Sequence, residues 1–223
     1  LDHRRPHRLD VQADALAALL PALGEERVAV IGLSAGALTA IEFALRHPER
    51  TSGVVLLVPA SLGMRQPPPH LGPIGAAIAR HLLSADFPFW AGIQLAPDLL
   101  TRELLATEPS VLRAADPAER ARVRSILAHV LPVSRRSAGI AEDGRWAGTP
   151  PSAPLERIAA PLLAVGVEDD LFGTYAAAVL AAARSPRGRL VSYPTGGHMM
   201  VGRFEMVRSE ILAFLGGLDR RTP

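Results

Sequence analysis

Cysteine is absent from the 223 residues, and so is lysine. The first absence removes disulfides, thiolate metal sites and a cysteine nucleophile together. The second makes all 24 cations arginine, which keep their charge at any accessible pH, although the formal net charge is only +2. The one basic cluster lies at residues 3–8 and reads as a solvated segment, so a nucleic-acid surface is disfavoured. Aromatics make up only 4%, leaving Leu, Val and Ala to fill the core. No run approaches the roughly 18 apolar residues a membrane span needs, and no secretion leader is visible, so a cytoplasmic location is expected. Neither an H-E-x-x-H nor a phosphate-loop signature occurs, and no metal or cofactor is expected. What remains, 48% apolar and 21% charged residues, suits one globular core with room for a small insertion.

Hydrophobic periodicity organises the two ends of the chain. Residues 10–23 read as an amphipathic helix, with Val11, Ala15, Leu16, Leu19, Leu20 and Leu23 on one face, Asp10 able to cap its start and Gly24 to stop it. Nearly continuous apolar runs at 28–32, 54–58 and 162–166 suit strands buried on both faces of a parallel sheet, and 189–193 is a fourth strand. Helices are expected at 35–46, before Pro48, at 174–184 with Thr174 as cap, and at 204–218 with Phe204, Val207, Ile211, Phe214, Leu215 and Leu218 near one face. This alternation predicts an α/β fold with a mostly parallel sheet and helices on both faces. Between Met64 and Pro154 no Val/Ile strand run appears. Pro67, Pro68 and Pro69 open that stretch, Pro150, Pro151 and Pro154 close it, and helical patterns at 99–107 and 117–131 mark it as a helical insertion.

Gly32-Leu33-Ser34-Ala35-Gly36 is a G-x-S-x-G sequence between an expected strand and an expected helix. In that context a tight, strained turn lifts the serine hydroxyl out of the sheet, and Gly32 and Gly36 would relieve its clashes. The amide of Ala35, at the helix start, points where an oxyanion would form. A serine nucleophile needs a base. Of seven histidines, His198 alone sits in a loop directly after a core strand, behind Thr195-Gly196-Gly197. The base in turn needs an acid to fix its tautomer. Glu168, Asp169 and Asp170 follow the third strand; Asp169 is the choice, with Asp170 the near alternative. Leu33, Phe172 and Met199 flank these groups and are expected to bind substrate. Phe87, Phe89 and Trp90 either form an apolar ceiling or pack the insertion's own core.

On the segments 28–50, 166–172 and 193–202 the chain resembles the α/β-hydrolase superfamily, in the branch of small esterases, lactonases and carbon–carbon bond hydrolases with a helical cap. The resemblance implies a core in two parts, residues 1–63 carrying the nucleophile and 155–223 the acid and histidine, with 64–154 as the cap. It also implies further strands ahead of the nucleophile strand and a His-Gly loop supplying a second oxyanion amide. Only 27 residues precede Val28 and no His-Gly dipeptide occurs, so a complementing N-terminal segment or partner chain is expected beside strand 28–31. The expected activity is hydrolysis of an ester, lactone or related acyl bond of a small to medium apolar substrate. Carbon–carbon bond or haloperoxidase-like chemistry on the same triad, or a non-catalytic protein of this fold, are the alternatives.

Overall fold

The computed structural model describes residues 9–60, 62, 83, 85–148 and 153–219. The basic cluster at 3–8, Pro67–Pro69, His70, His81 and Pro150–Pro151 lie outside them. The chain opens with helix α1 (Leu9–Leu19), which tightens into a 3-10 turn (Leu20–Leu23) closed by Gly24 at φ 73°. Strand β1 (Val28–Leu33), helix α2 (Gly36–Arg46) and strand β2 (Thr51–Leu57) follow. After the insertion come β3 (Leu162–Val167), α8 (Tyr175–Arg184), β4 (Gly188–Tyr193) and α9 (Phe204–Asp219). Each expected strand and helix of this frame is present, with bounds shifted by a few residues.

The four strands pair in the order β1-β2-β3-β4, all parallel. Side chains alternate between the sheet's faces. Val54, Leu56, Leu162 and Ala164 meet α2 and α8 through Ile41, Ala37, Ala178 and Ala181. Val55, Leu163, Val165 and Val167 meet α9 through Val207, Ile211 and Phe214. Burial on both faces explains why these strands are unbroken apolar runs. Each such aliphatic side chain contributes about 1.5–3 kcal/mol on leaving water. Among the described residues nothing pairs with the outer edge of β1, and its Ile31 and Leu33 are about half exposed.

Helix α1 corrects an expectation. Its buried line is Ala13, Ala17 and Leu20, packed on Phe43 of α2 beside Val28 and Val30. Val11, Leu16, Leu19 and Leu23, taken from the sequence as the inward face, are exposed. Residues 13, 17 and 20 also recur at helical spacing, and the small alanines let the two helices approach closely. Asp14 then bridges Arg46 and His47, and the Thr39 hydroxyl donates to Gln12 Oε1, across the same seam.

Between β2 and β3 the described residues are helical: α3 (Asp86–Leu95), α4 (Pro97–Glu103), α5 (Pro109–Ala114), α6 (Pro117–His129) and α7 (Ser137–Gly148). Asp116 caps α6 by accepting from the Glu119 amide, ahead of Pro117 at the first helical position. The insertion has its own core of Leu100, Leu105, Val123 and Leu127, into which Val201 and Met199 reach from beyond β4. Helix α4 is shorter than the 99–107 expected, because the chain leaves the helix at Leu104 and turns through Ala106 at φ 43°.

Packing at the α1–α2 seam makes opposite demands on neighbouring residues. Ala13→Leu overpacks a fully buried site and should lower stability by about 1–3 kcal/mol. Leu16→Gln, on the exposed side, should stay within about 0.5 kcal/mol. Denaturant midpoints of the two variants check the assignment of the buried face.

Candidate active site

In a parallel sheet every strand presents the same end, and the candidate groups follow the carboxyl ends of β1, β3 and β4. Ser34 leaves β1 with φ 53°, a left-handed backbone costly for a residue with a Cβ. The surroundings hold it there. Its amide donates to Leu57 O, and its carbonyl accepts from the amides of Ala37 and Ala60. Gly32 is required by space, since a Cβ there would lie 2.6 Å from Ala37 Cα. Gly36 is not, because a Cβ there would meet nothing within 4 Å, so only one of the two flanking glycines relieves the turn. Ala35 begins α2 with helical angles, leaving its amide in the helix's first turn.

The carboxylate that meets His198 is Asp170, the near alternative, and not Asp169. His198 Nδ1 lies 2.7 Å from Asp170 Oδ2, with both side chains buried. An ionised carboxylate only accepts, so against it Nδ1 donates and Nε2 is the ring nitrogen left to accept. Asp170 is otherwise satisfied by the Phe172 amide at 2.9 Å and by the Thr174 hydroxyl. Thr174, read from the sequence as a helix cap, makes no capping bond and serves the carboxylate instead. Asp169 is turned away: it accepts from the amides of Gly197 at 2.7 Å and Gly196 at 3.3 Å. The pairing of Asp170 rather than Asp169 with the ring has a simple cause. Strand β3 runs one residue past the expected end at Gly166, to Val167, and the Asp170 amide turns back onto the Val167 carbonyl, which carries its side chain toward β4.

Among the described residues no hydrogen bond joins the Ser34 hydroxyl to the His198 ring; what is assembled is the acid–base pair. Such contacts commonly tighten only when substrate is bound. Of the other described histidines, His47 pairs with Asp14 at the α1–α2 seam, and His129 bonds only within its own helix turn, to Ser125.

The residues expected to bind substrate separate. Phe172 stands edge-on to His198, ring centroids 4.9 Å apart at 78°. Leu33 is about half exposed at the end of β1. Met199 instead packs into the insertion's core, with its amide donating to Thr107 and its carbonyl accepting from Arg122. The aromatic trio also divides. Phe89 is fully buried, whereas Phe87 and Trp90 stack at 5.9 Å and line a shallow surface pocket with Asp86, Leu131 and Pro132.

The insertion's grip on the loops that carry Asp170 and His198 left no recognisable sign in the sequence. The carbonyl of Ala106 accepts from the amides of both Leu171 and His198. The Thr107 hydroxyl accepts from Met199 and donates to Leu105 O, and Thr107 is fully buried. Arg122 forms a two-pronged pair with Glu119 at 2.9 Å, donates to Met199 O, and lies 5.0 Å over the Phe204 ring. Glu119 also accepts from the Gly202 amide. None of these residues belongs to a motif, since a backbone carbonyl and a mid-helix Arg have no local signature.

The alpha/beta hydrolase fold family model matches residues 2–202. The chain belongs to that family. Over 53 residues, 24% of its length, this hydrolase-fold chain is 43% identical to 2-hydroxy-6-oxo-6-phenylhexa-2,4-dienoate hydrolase of Comamonas testosteroni; the match spans 18% of that relative. Two of the solved structures that share its fold show the likeness. One is the N-acyl homoserine lactone degrading enzyme Est816, at 24% identity and a TM-score of 0.60, covering 95% of this chain and 74% of that one. The other is a thermophilic esterase from Thermogutta terrifontis, at 20% identity and 0.65, covering 96% and 74%. Among the described residues no helix is long and apolar enough to cross a membrane.

The Arg122 guanidinium, aided by the Gly202 amide, holds the Glu119 carboxyl below its ordinary value of 4.5 against the opposing effect of partial burial. A depressed folded-state pKa contributes stability that is complete above the unfolded value and is lost as pH falls below it. Glu119→Gln should therefore cost about 0.5–1 kcal/mol at neutral pH, the range of partly solvated pairs. The gap between the two proteins should shrink as pH drops from about 5 to 3. Urea titrations of both proteins across that range check this.

Proposed function

We propose that the chain is a serine hydrolase cleaving an ester, lactone or related acyl bond of a small to medium apolar substrate, with Ser34, Asp170 and His198 as the triad. The supporting observation is the buried Asp170–His198 pair at 2.7 Å, at the same sheet edge as a serine held at φ 53° by a G-x-S-x-G turn. In this reading His198 Nε2 takes the Ser34 proton as the hydroxyl oxygen attacks the carbonyl carbon, and later gives it to the leaving group. Asp170 stabilises the imidazolium in between. The Ala35 amide receives the developing oxyanion. A second donor, and a strand against the open edge of β1, come from outside the described residues. The loss of one oxyanion donor costs about 2.7–4 kcal/mol of transition-state stabilisation in well-studied serine hydrolases. Helices α3–α7 act as a cap, with Leu33 and Phe172 lining the approach.

A second reading is carbon–carbon bond hydrolysis of a dienoate-type diketone by the same three residues. The 43% identity to the Comamonas hydrolase over 53 residues favours it. Parallel assays with a short-chain nitrophenyl ester and a 2-hydroxy-6-oxo-dienoate separate the two readings.

A fluorophosphonate probe should label the chain at Ser34 and leave Ser34→Ala unlabelled. Asp170→Asn should slow labelling by a factor of about 10³–10⁴, the scale of losing the tautomer-fixing carboxylate. Equal labelling of Ser34→Ala removes the serine from the mechanism.

A further inference from the structure

Two acidic residues stand side by side after β3, and each is committed to a different part of the histidine loop. Asp170 meets the imidazole ring; Asp169 meets only backbone, the consecutive amides of Gly196 and Gly197. We propose that Asp169 is a positioning residue, whose carboxylate holds the Gly196–Gly197 turn in the shape that delivers His198 to Asp170. The proposal rests on the hydrolase reading above and adds a residue to it.

The turn needs such a restraint. Gly196 sits at φ 143° and Gly197 at φ 60°, conformations that side-chain-bearing residues rarely adopt. Space imposes glycine at 197 as well, because a Cβ there would lie 2.6 Å from Cγ2 and Oγ1 of Thr107. Two glycines in succession give the loop the greatest freedom to lose on ordering. Both amides are buried with their residues and require acceptors. A carboxylate accepting from two successive amides forms the backbone nest that small anions occupy, here with the anion built into the chain. Hydrogen bonds to an ionised acceptor are roughly twice as strong as neutral ones.

The loop is thus gripped from two sides. Asp169 reaches it from the end of β3. From the insertion, the Ala106 carbonyl takes the His198 amide and the Thr107 hydroxyl takes the Met199 amide. Freed from Asp169, the two glycine amides would lose their acceptor, leaving the segment before His198 held only by its carbonyl bonds from Val201 and Met200 and by Arg203 on Thr195, with the second grip acting on residues 198 and 199. The imidazole would then reach Asp170 in a smaller share of the molecules, without any change in the acid or the base.

Amide hydrogen exchange read residue by residue by NMR, alongside fluorophosphonate labelling rates, tests this on the full chain. Asp169→Ala should raise exchange at both Gly196 and Gly197 about tenfold or more, and slow labelling about 10–100-fold, the scale of losing charged hydrogen bonds. Asp169→Asn keeps an oxygen for Gly197 but sets an NH2 group against Gly196. It should therefore leave Gly197 protected, expose Gly196, and restore most of the labelling rate; this split carries the test if the alanine variant does not fold. Asp170→Asn should slow labelling far more while both glycines stay protected. Unchanged exchange in the Asp169 variants overturns the proposal, as does an Asp169→Asn rate as low as that of Asp170→Asn, which would make Asp169 the triad acid. Failure of the unsubstituted chain to label sinks the hydrolase reading alone, since the exchange pattern is read independently.

Discussion

The contact between Asp170 and His198 is the constraint around which the rest of the site is arranged. A buried carboxylate is tolerable only when its oxygens have hydrogen-bond partners. The chain supplies those partners locally: the Phe172 amide two residues on, the Thr174 hydroxyl four residues on, and the ring itself from across the sheet. Because Asp170 accepts and cannot donate, it also decides which ring nitrogen stays free. One buried pair thereby fixes the position of the imidazole and, with Asp170 ionised, its tautomer.

Several residues in and around the candidate site hold unfavourable backbone. Ser34, Val58, Ala106 and Met200 all carry positive φ without being glycine, and Ser34, Ala106 and Met200 belong to the candidate site or to segments bonded to it. Val58 ends β2, where its amide reaches Val165 O. Strain of this kind, of order 1–3 kcal/mol per residue, persists only where surrounding contacts over-determine it. Here they do: the Ala106 carbonyl collects two loop amides, and the Arg122–Glu119 pair ties α6 to both Met199 and Gly202. On the histidine side the insertion braces the loops after β3 and β4, bonded to them at several points.

Much of the frame was legible because its signals are strong and local. Buried parallel strands announce themselves as apolar runs, and the run at 28–31 followed by G-x-S-x-G leaves little freedom for Ser34. The placement of Ser34, the acidic pair and His198 at the ends of β1, β3 and β4 was readable for the same reason. The choice between Asp169 and Asp170 was not, because adjacent carboxylates differ only in direction, and a one-residue extension of β3 sets that direction. Nor was the buried face of α1, where two alanines beside Leu20 outcompeted a line of larger residues because the neighbouring helix lies close. Met199 looked like a pocket residue beside the base, yet the insertion's core claims it. The Ala106 and Thr107 contacts were invisible, since they depend on two segments some 90 residues apart meeting.

The most direct test is the proton NMR spectrum of the chain at low temperature, searched for the strongly downfield imidazole Nδ1 proton that a buried carboxylate–histidine bond produces. The account predicts that this resonance is present, persists in Asp169→Asn and disappears in Asp170→Asn. Its persistence in Asp170→Asn together with its loss in Asp169→Asn would contradict the assignment on which the site is built.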